Sequence, residues 1–409
     1  MHPRGPQSAV RIPNHYSPSL SELDLQMVRS VPPGGNWKSI PEGVPSKRLA
    51  QIRATFASGN GSRSTYYGRL APQMPAYTIS TCINRPGNGC YVHYDPHQHR
   101  LISQREAARL QSFPDSFIFH GTKSSVNKQI GNAVPPLLAY QVAKCLPAGS
   151  SFVDLFCGAG GLSLGFKIAG WRPLLAVDSD PSAAETYASN IHRSVVTGSL
   201  GDPKVFEDAV RAARKVRPYD SPLFVIGGPP CQGLSTAGNR RSREDPRNAL
   251  FLRFSQFLQE VRPDGFVFEN VPGILSMDHG KFFEDVVNDL SRHAHRVDRW
   301  VLNAAEFGVP QRRQRVFLIG SRRGTDAPIP PEPLTPLLPG QTSLDGSANA
   351  VSVREALDDL PPLSVGQDGC ALDYVHPPEG PYQRLMRVGV SPAGIRELSR
   401  RPHAADSHK

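Results

Sequence analysis

Residues 151–180 read SFVDLFCGAGGLSLGFKIAGWRPLLAVDSD. Two apolar runs, SFVDLF and PLLAVDSD, bracket a glycine-rich turn and the helical pattern SLGFKIAG. A short apolar run broken by glycine predicts a buried strand, then a tight turn into a helix that leads back to a second strand. Gly158, Gly160, Gly161 and Gly165 fall after the first strand and into the helix. Without a Cβ, backbone there can approach a nucleotide-like ligand closely. Asp178 ends the next strand, 17 residues past Gly161. An acid in that place suits hydrogen bonding to ribose hydroxyls, although an exposed turn residue is the plainer alternative. The spacing is not the usual GxGxxG, so dinucleotide and adenosyl cofactors both remain open.

The same texture continues outward. SAAETYASNI reads as a helix, PLFVIGG is followed by LFLRFSQFLQEV, GFVFENV by KFFEDVVNDL, and VFLIGSR (316–322) adds another strand. Strands alternating with helices argue a parallel sheet flanked on its faces. APIPPEPLTPLLPGQ (327–341) is proline-rich and irregular. Residues 1–100 are rich in Pro, Gly, Ser and Asn and suit short strands and loops rather than long helices. SQREAARLQSF (103–113) is a helical pattern opened by a capping box, with Ser103 as N-cap and Glu106 three residues on. PPLLAYQVAKCL (135–146) predicts a further helix with proline near its start, and PAGS (147–150) a short linker. There is no internal repeat.

A chain of 409 residues can bury a substantial core, in one large and one smaller domain. The N-terminus lacks the apolar region of a secretion signal and no run approaches membrane-spanning length, which predicts a soluble, unsecreted, cytoplasmic protein. Six cysteines form no CxxC pair, so neither a zinc site nor a disulfide framework is signalled. HYDPHQH (93–99) reads as a solvated loop rather than a metal site. The net charge of +10 is unevenly placed: residues 1–150 hold sixteen Lys and Arg against six Asp and Glu, and the remainder thirty of each. A basic first third beside a balanced remainder points to a polyanion, with nucleic acid the favoured partner.

VIGGPPCQGLS (225–235) places Cys231 behind two prolines, on a stiff loop at a strand's C-terminal end. A buried small hydrophobe and a reactive thiol both fit that position. GFVFENVPGIL (265–275) ends a strand with Glu269, a carboxylate that is either paired or functional, since burying it alone is expensive. FGVPQRRQRVFLIG (307–320) sets Arg313 and Arg315 at alternate positions, facing one side of the strand they lead into.

Together DLFCGAGG, GGPPCQGLS, ENVPG, QRRQR, REAARLQSFPD and QIGNAVPP resemble the signature blocks of DNA cytosine-5-methyltransferases, over roughly residues 14–400. The resemblance implies an α/β fold: a Rossmann-like S-adenosylmethionine-dependent methyltransferase sheet with a second, smaller target-recognition domain. On that basis residues 1–125 form the DNA-reading domain, 126–335 the catalytic domain, and 336–409 an irregular extension leading back to the first. It implies Cys231 as the nucleophile that adds to C6 of cytosine, Glu269 as the group holding N3 and the exocyclic amine, and Arg315 with Arg313 at the base's O2 and its phosphate. Matching cofactor positions are Phe156, Ala159, Gly161, Asp178, Pro230, Leu250 and Asn132. Thr78 and Ile79 match the family's short threonine–aliphatic DNA element, and Gln232 and Ser235 in GGPPCQGLS are further candidate DNA contacts. Arg63 and Arg69 are candidate phosphate contacts because they lie in the basic first third. Double-stranded DNA is the implied partner of a monomer, with a cognate restriction endonuclease as a further one. A tRNA cytosine-5-methyltransferase and a catalytically silent DNA-binding regulator are the rival readings.

Two departures stand out. Ser199 occupies a position usually acidic, for which Asp202 is a candidate substitute, and Gln314 replaces the commoner Glu between the arginines. The order of the blocks is also unusual, because REAARLQSFPD and QIGNAVPP normally close the chain and here precede DLFCGAGG. The sequence therefore resembles a circularly permuted member. That reading expects 353–363 and the tail after it to lead towards 14–24, the two termini to approach each other, and 145–151 to bridge an old terminus.

Overall fold

The computed structural model describes residues 12–59, 65–230, 249–322, 327–335 and 350–398. The chain divides into two units. One is Met1–Asn132 with Gly308–Arg312 and Leu334–Lys409; the other is Ala133–Phe307 with Arg313–Pro333. The division falls after residue 132 rather than 125, and it gives residues 308–312 to the first unit.

In the first unit, α1 (Glu22–Arg29) and α2 (Lys47–Ala57) each begin at a capping serine. The Ser21 hydroxyl accepts from the Asp24 N–H and the Ser46 hydroxyl from the Leu49 N–H. Met27, Val31, Trp37, Ile40, Leu49 and Ile52 form the small core around them. Strands β1 (Gly68–Arg69) and β2 (Cys90–Val92) pair in parallel. The two helices correct the expectation of strands and loops before residue 100. Their caps were present in the sequence, but surrounding Pro and Gly diluted the short apolar period. Two further helices follow, α3 (Gln104–Leu110) and α4 (Lys123–Asn132), and α3 carries the expected Ser103–Glu106 capping box.

The second unit opens with α5 (Pro136–Lys144), β3 (Ser151–Leu155), α6 (Gly161–Ile168), β4 (Arg172–Asp178), α7 (Pro181–Asn190) and β5 (Val195–Thr197). It continues with α8 (Pro203–Lys215), β6 (Leu223–Gly227), α9 (Ala249–Val261), β7 (Gly265–Asn270), α10 (Lys281–Leu290), β8 (Arg296–Asn303) and β9 (Gln314–Ser321). The seven strands lie in the order β5-β4-β3-β6-β7-β9-β8. Pairing is parallel from β5 to β7, and β9 runs antiparallel to both its neighbours. β3, β6 and β7 are buried along their whole length, as strands covered on both faces must be. Alternate residues serve opposite faces: Val153, Leu155 and Val225 pack with Phe254 and Phe257. Phe152 and Phe224 end an edge-to-face chain through Phe166 and Trp171, with centroid separations of 5.8, 4.9 and 4.9 Å. α5 packs directly on α6, where a Cβ on Gly165 would lie 2.4 Å from that of Ala139. Only glycine permits that spacing.

The chain runs outward from β3 to β5 and returns to β6 on the other side of β3. The C-terminal ends of β3 and β6 thus flank the point where strand order reverses, the place where open α/β sheets bind ligands. No helix among the described residues is long and apolar enough to cross a membrane.

Back in the first unit, α11 (Val353–Leu357), α12 (Pro381–Val388) and α13 (Pro392–Leu398) correct the expectation of an irregular extension over 336–409. The segment after α11 does meet the region of residues 14–24: Ser17 N donates to the Gln367 carbonyl at 3.0 Å, and Gly369 N to that of His15 at 2.7 Å. The His15 ring bonds the Ser103 hydroxyl at 2.8 Å and the Pro361 carbonyl at 3.0 Å. Residues 1–11 and 399–409, whose approach was expected, lie outside the described residues.

Two expectations about charge change here. His93 is buried, 3.6 Å from Glu106, and burial pushes its pKa down to about 3, so HYDPHQH is not a solvated loop throughout. Arg69 is also interior. Its guanidinium donates to the carbonyls of Val31 at 2.6 Å, His93 at 2.7 Å and Val28 at 3.0 Å. That corrects its assignment as a DNA contact, because the donors a phosphate needs are spent on backbone. Arg100, Arg105 and Arg109 are buried too, so part of the basic surplus in the first third never reaches the surface.

Candidate active site

After β3 the backbone passes three times through the left-handed region, at Phe156 (φ 58°), Gly158 (φ 52°) and Gly160 (φ 93°). Phe156 adopts that region without glycine's freedom, which marks the turn as constrained. Gly158 N donates to Asp178 Oδ2 at 2.8 Å, and Asp180 N to Asp178 Oδ1 at 2.8 Å. A Cβ on Gly158 would meet nothing within 4 Å, so the turn borders open space; one on Gly160 would lie 2.9 Å from the Tyr187 ring. Asp178 is half-buried and burial raises its pKa, which sets aside the exposed-turn reading.

Beneath this turn lies a buried network. Ser163 Oγ donates to Asp154 Oδ2 at 2.6 Å and shares a hydrogen bond with the Tyr187 hydroxyl at 2.9 Å. Burial pushes the Asp154 carboxyl up to about 8 from its usual 3.8. An acid whose folded pKa is raised contributes stability that is complete below the unfolded value and is lost as pH rises through the folded one. Between these limits Asp154 should cost on the order of 1 kcal/mol per pH unit. Melting temperatures of wild type should therefore fall from pH 5 to pH 8 more steeply than those of Asp154→Asn. Equal slopes would contradict the assignment.

Phe156, Ala159, Gly161 and Asp178 belong to this turn and the adjacent strand end, while Pro230 closes the described part of the loop after β6 and Leu250 lies in the first turn of α9. They fit an adenosyl cofactor. The Asp178 oxygens take backbone N–H groups and keep acceptor capacity for a ribose hydroxyl, beside a turn with room above it. Asn132 ends α4, in the first unit. Asp202, the candidate substitute for Ser199, is exposed and its Oδ1 caps α8, accepting from Lys204 N at 2.8 Å and Val205 N at 3.3 Å.

The other side of the site is built on β7 and β9. Glu269 and Arg315 are buried together, with Arg315 Nε 2.7 Å from Glu269 Oε1. Burial raises the Glu269 pKa against the opposing pull of Arg315 and Arg313. Arg313 is buried as well, and its backbone N–H donates to Asn303 Oδ1 at 3.2 Å. Gln314 between them is exposed, as strand alternation requires. Gly228 comes so close that a Cβ there would lie 2.5 Å from Glu269 Oε2. Cys231, Gln232, Ser235 and Arg63 lie outside the described residues.

Of the proposed DNA-contacting pair, Thr78 is exposed and its hydroxyl donates to the Arg312 carbonyl at 2.8 Å. Ile79 is wholly buried, with its N–H donating to Gln311 Oε1 at 2.8 Å, so its side chain packs inside the first unit. Gln311 itself was overlooked: its Nε2 also donates to the Leu110 carbonyl at 3.0 Å, tying two parts of the first unit together. Its place in QRRQR was the only signal. Gly228 and Asn270 were passed over as well, overshadowed by the cysteine and glutamate beside them.

The reversed strand order, the glycine turn and the carboxylate at the end of β4 define a Rossmann-like methyltransferase sheet. A family model for C-5 cytosine-specific DNA methylase matches residues 22–147 and 150–360, and the chain belongs to that family. S-adenosylmethionine is the methyl donor this membership implies. Type II methyltransferase M.DdeI of Desulfomicrobium norvegicum is 39% identical over 248 residues, covering 58% of this chain and 55% of that protein. Type II methyltransferase M.AgeI of Thalassovita gelatinovora is 40% identical over 248 residues, covering 58% and 57%. The chain thus spans about half the length of these two curated relatives. Among solved structures, S. pombe Dnmt2 methyltransferase aligns at a TM-score of 0.34 and 19% identity, over 44% of this chain and 52% of that one.

Proposed function

We propose that the chain methylates C5 of a cytosine flipped out of duplex DNA, through a transient bond between Cys231 and C6 of the base. The observation that carries this reading is the buried Glu269–Arg315 pair at 2.7 Å, at the end of the strand beside the loop that leads to Cys231. Cytosine N3 is an acceptor and its exocyclic amine a donor. Burial raises the Glu269 pKa and so favours the protonated carboxyl, which in this reading donates to N3 from one oxygen and accepts from the amine with the other. Protonating N3 draws charge from the ring as the thiolate adds, so the S–C6 bond forms while the C5=C6 pair becomes nucleophilic at C5. S-adenosylmethionine supplies the methyl group to that carbon. Loss of the C5 proton with cleavage of S–C6 then restores the double bond and the thiolate. Both ring carbons are hidden in a duplex, so the base must leave the stack.

Residues 31–82 resemble the end of the target-recognition region of DNA cytosine-5-methyltransferases, which supports duplex DNA over tRNA as substrate; their described part includes α2 and most of a small core. The first unit is then the target-reading part and the second the catalytic part. The type II methyltransferase relatives support a role as the protective partner of a restriction endonuclease. Transfer of labelled methyl from S-adenosylmethionine should occur on duplex DNA and not on tRNA; the reverse preference would overturn the substrate assignment.

Circular permutation belongs to the same proposal, supported by α5 packed on α6 and by the 364–369 segment bonded to 15–17. Joining residue 409 to residue 1 through a flexible linker and reopening at Ala148 should give an enzyme with the same target. A rejoined chain that folds without methylating would contradict it.

A further inference from the structure

The glutamate at the end of β7 has a neighbour that the chemistry above leaves without a task. Asn270 is 5% exposed and carries its carboxamide into the second unit. Its Oδ1 accepts from the Val271 N–H at 2.9 Å, which fixes the orientation of the side chain and turns Nδ2 the other way. Nδ2 donates to the carbonyl of Pro229 at 3.2 Å. Pro229 stands two positions before Cys231 in the sequence, and Pro230 between them has no backbone N–H to offer a sheet ladder. On the same loop, Gly228 lies against Glu269, whose Oε2 a Cβ there would approach to 2.5 Å. The loop after β6 is therefore held to the end of β7 at successive residues: steric closeness at 228 and a hydrogen bond at 229.

We infer that Asn270 is a positioning residue: its amide holds the Pro229 carbonyl so that the chain leaving Pro230 delivers the nucleophile in register with the base that Glu269 holds. This rests on the covalent mechanism proposed above. Covalent attack needs near-contact alignment, and a displacement of about 1 Å can cost about 10²-fold in rate. The amide touches neither base nor cofactor in this role, so its removal acts on bond formation rather than on binding.

The test compares wild type with Asn270→Ala and with Asn270→Ser, a smaller polar replacement in case the alanine variant does not fold. Duplex DNA carrying 5-fluorocytosine and S-adenosylmethionine serve as probes, with trapping rates, separate affinities for each probe and melting temperatures as readouts. The expected result is a trapping rate and kcat lowered on the order of 10²-fold, with KM for DNA and affinity for S-adenosylmethionine within about threefold of wild type. A folded variant that traps at the wild-type rate overturns the inference. So does a parallel loss of affinity, trapping and melting temperature, which marks a structural role alone. Failure of wild type itself to trap would instead remove the covalent mechanism on which the inference rests.

Discussion

Cys231→Ser is expected to abolish methyl transfer while binding of S-adenosylmethionine stays nearly intact. A serine hydroxyl is a far weaker nucleophile than a thiolate. Removing a covalent nucleophile costs on the order of 10⁶ in kcat, enough to leave no turnover in a routine assay. Most of the proposed cofactor positions lie elsewhere, on the turn after β3 and at the end of β4, and the substitution leaves the adjoining Pro230 unchanged, so calorimetric titration with S-adenosylmethionine should give nearly the wild-type affinity. Normal turnover by the serine variant would sink the assignment of Cys231.

Glu269→Gln should be the next most severe change and should alter the pH profile as well as the rate. Glutamine keeps the hydrogen-bond pattern towards N3 and the amine and can still accept from Arg315, but it cannot give up a proton. Losing one preorganised stabilising group of this kind costs about 10²–10³ in kcat. The sign of the pH effect follows from burial, which raises the glutamate's pKa and extends its protonated form upward. Wild-type activity that depends on that proton falls as pH rises through the raised value; in the variant that limb should vanish. A pH–kcat profile measured on both proteins decides it, and an unchanged alkaline limb in Glu269→Gln would assign it to another group.

The sheet was legible because parallel strands covered on both faces leave unbroken apolar runs, as SFVDL, LFVIG and GFVFEN do. β8 was not, since RVDRWVLN is half exposed and its charges hide the alternation. The first unit was harder. Its helices are short, and their caps, Ser21, Ser46 and Ser352, sit among prolines and glycines that read as loop. Burial of arginine cannot be read from a sequence at all: Arg69 looks like a surface cation until its partners, backbone carbonyls at residues 28, 31 and 93, are known. The acid and arginine positions of the site were legible by motif. The elements that hold them, Gly228 against Glu269 and Asn270 on Pro229, appear only when β6 and β7 are set side by side.

The central claim is the bond between Cys231 and C6 of cytosine. The most direct measurement incubates the wild-type protein with S-adenosylmethionine and duplex DNA bearing 5-fluorocytosine at the target, then digests the product and locates the adduct by mass spectrometry. Fluorine cannot leave C5 as a proton does, so the account predicts a denaturation-resistant complex that carries the methyl group and maps to Cys231. Methyl transfer to the normal duplex with no such complex on the fluorinated one, or an adduct on another residue, would contradict it.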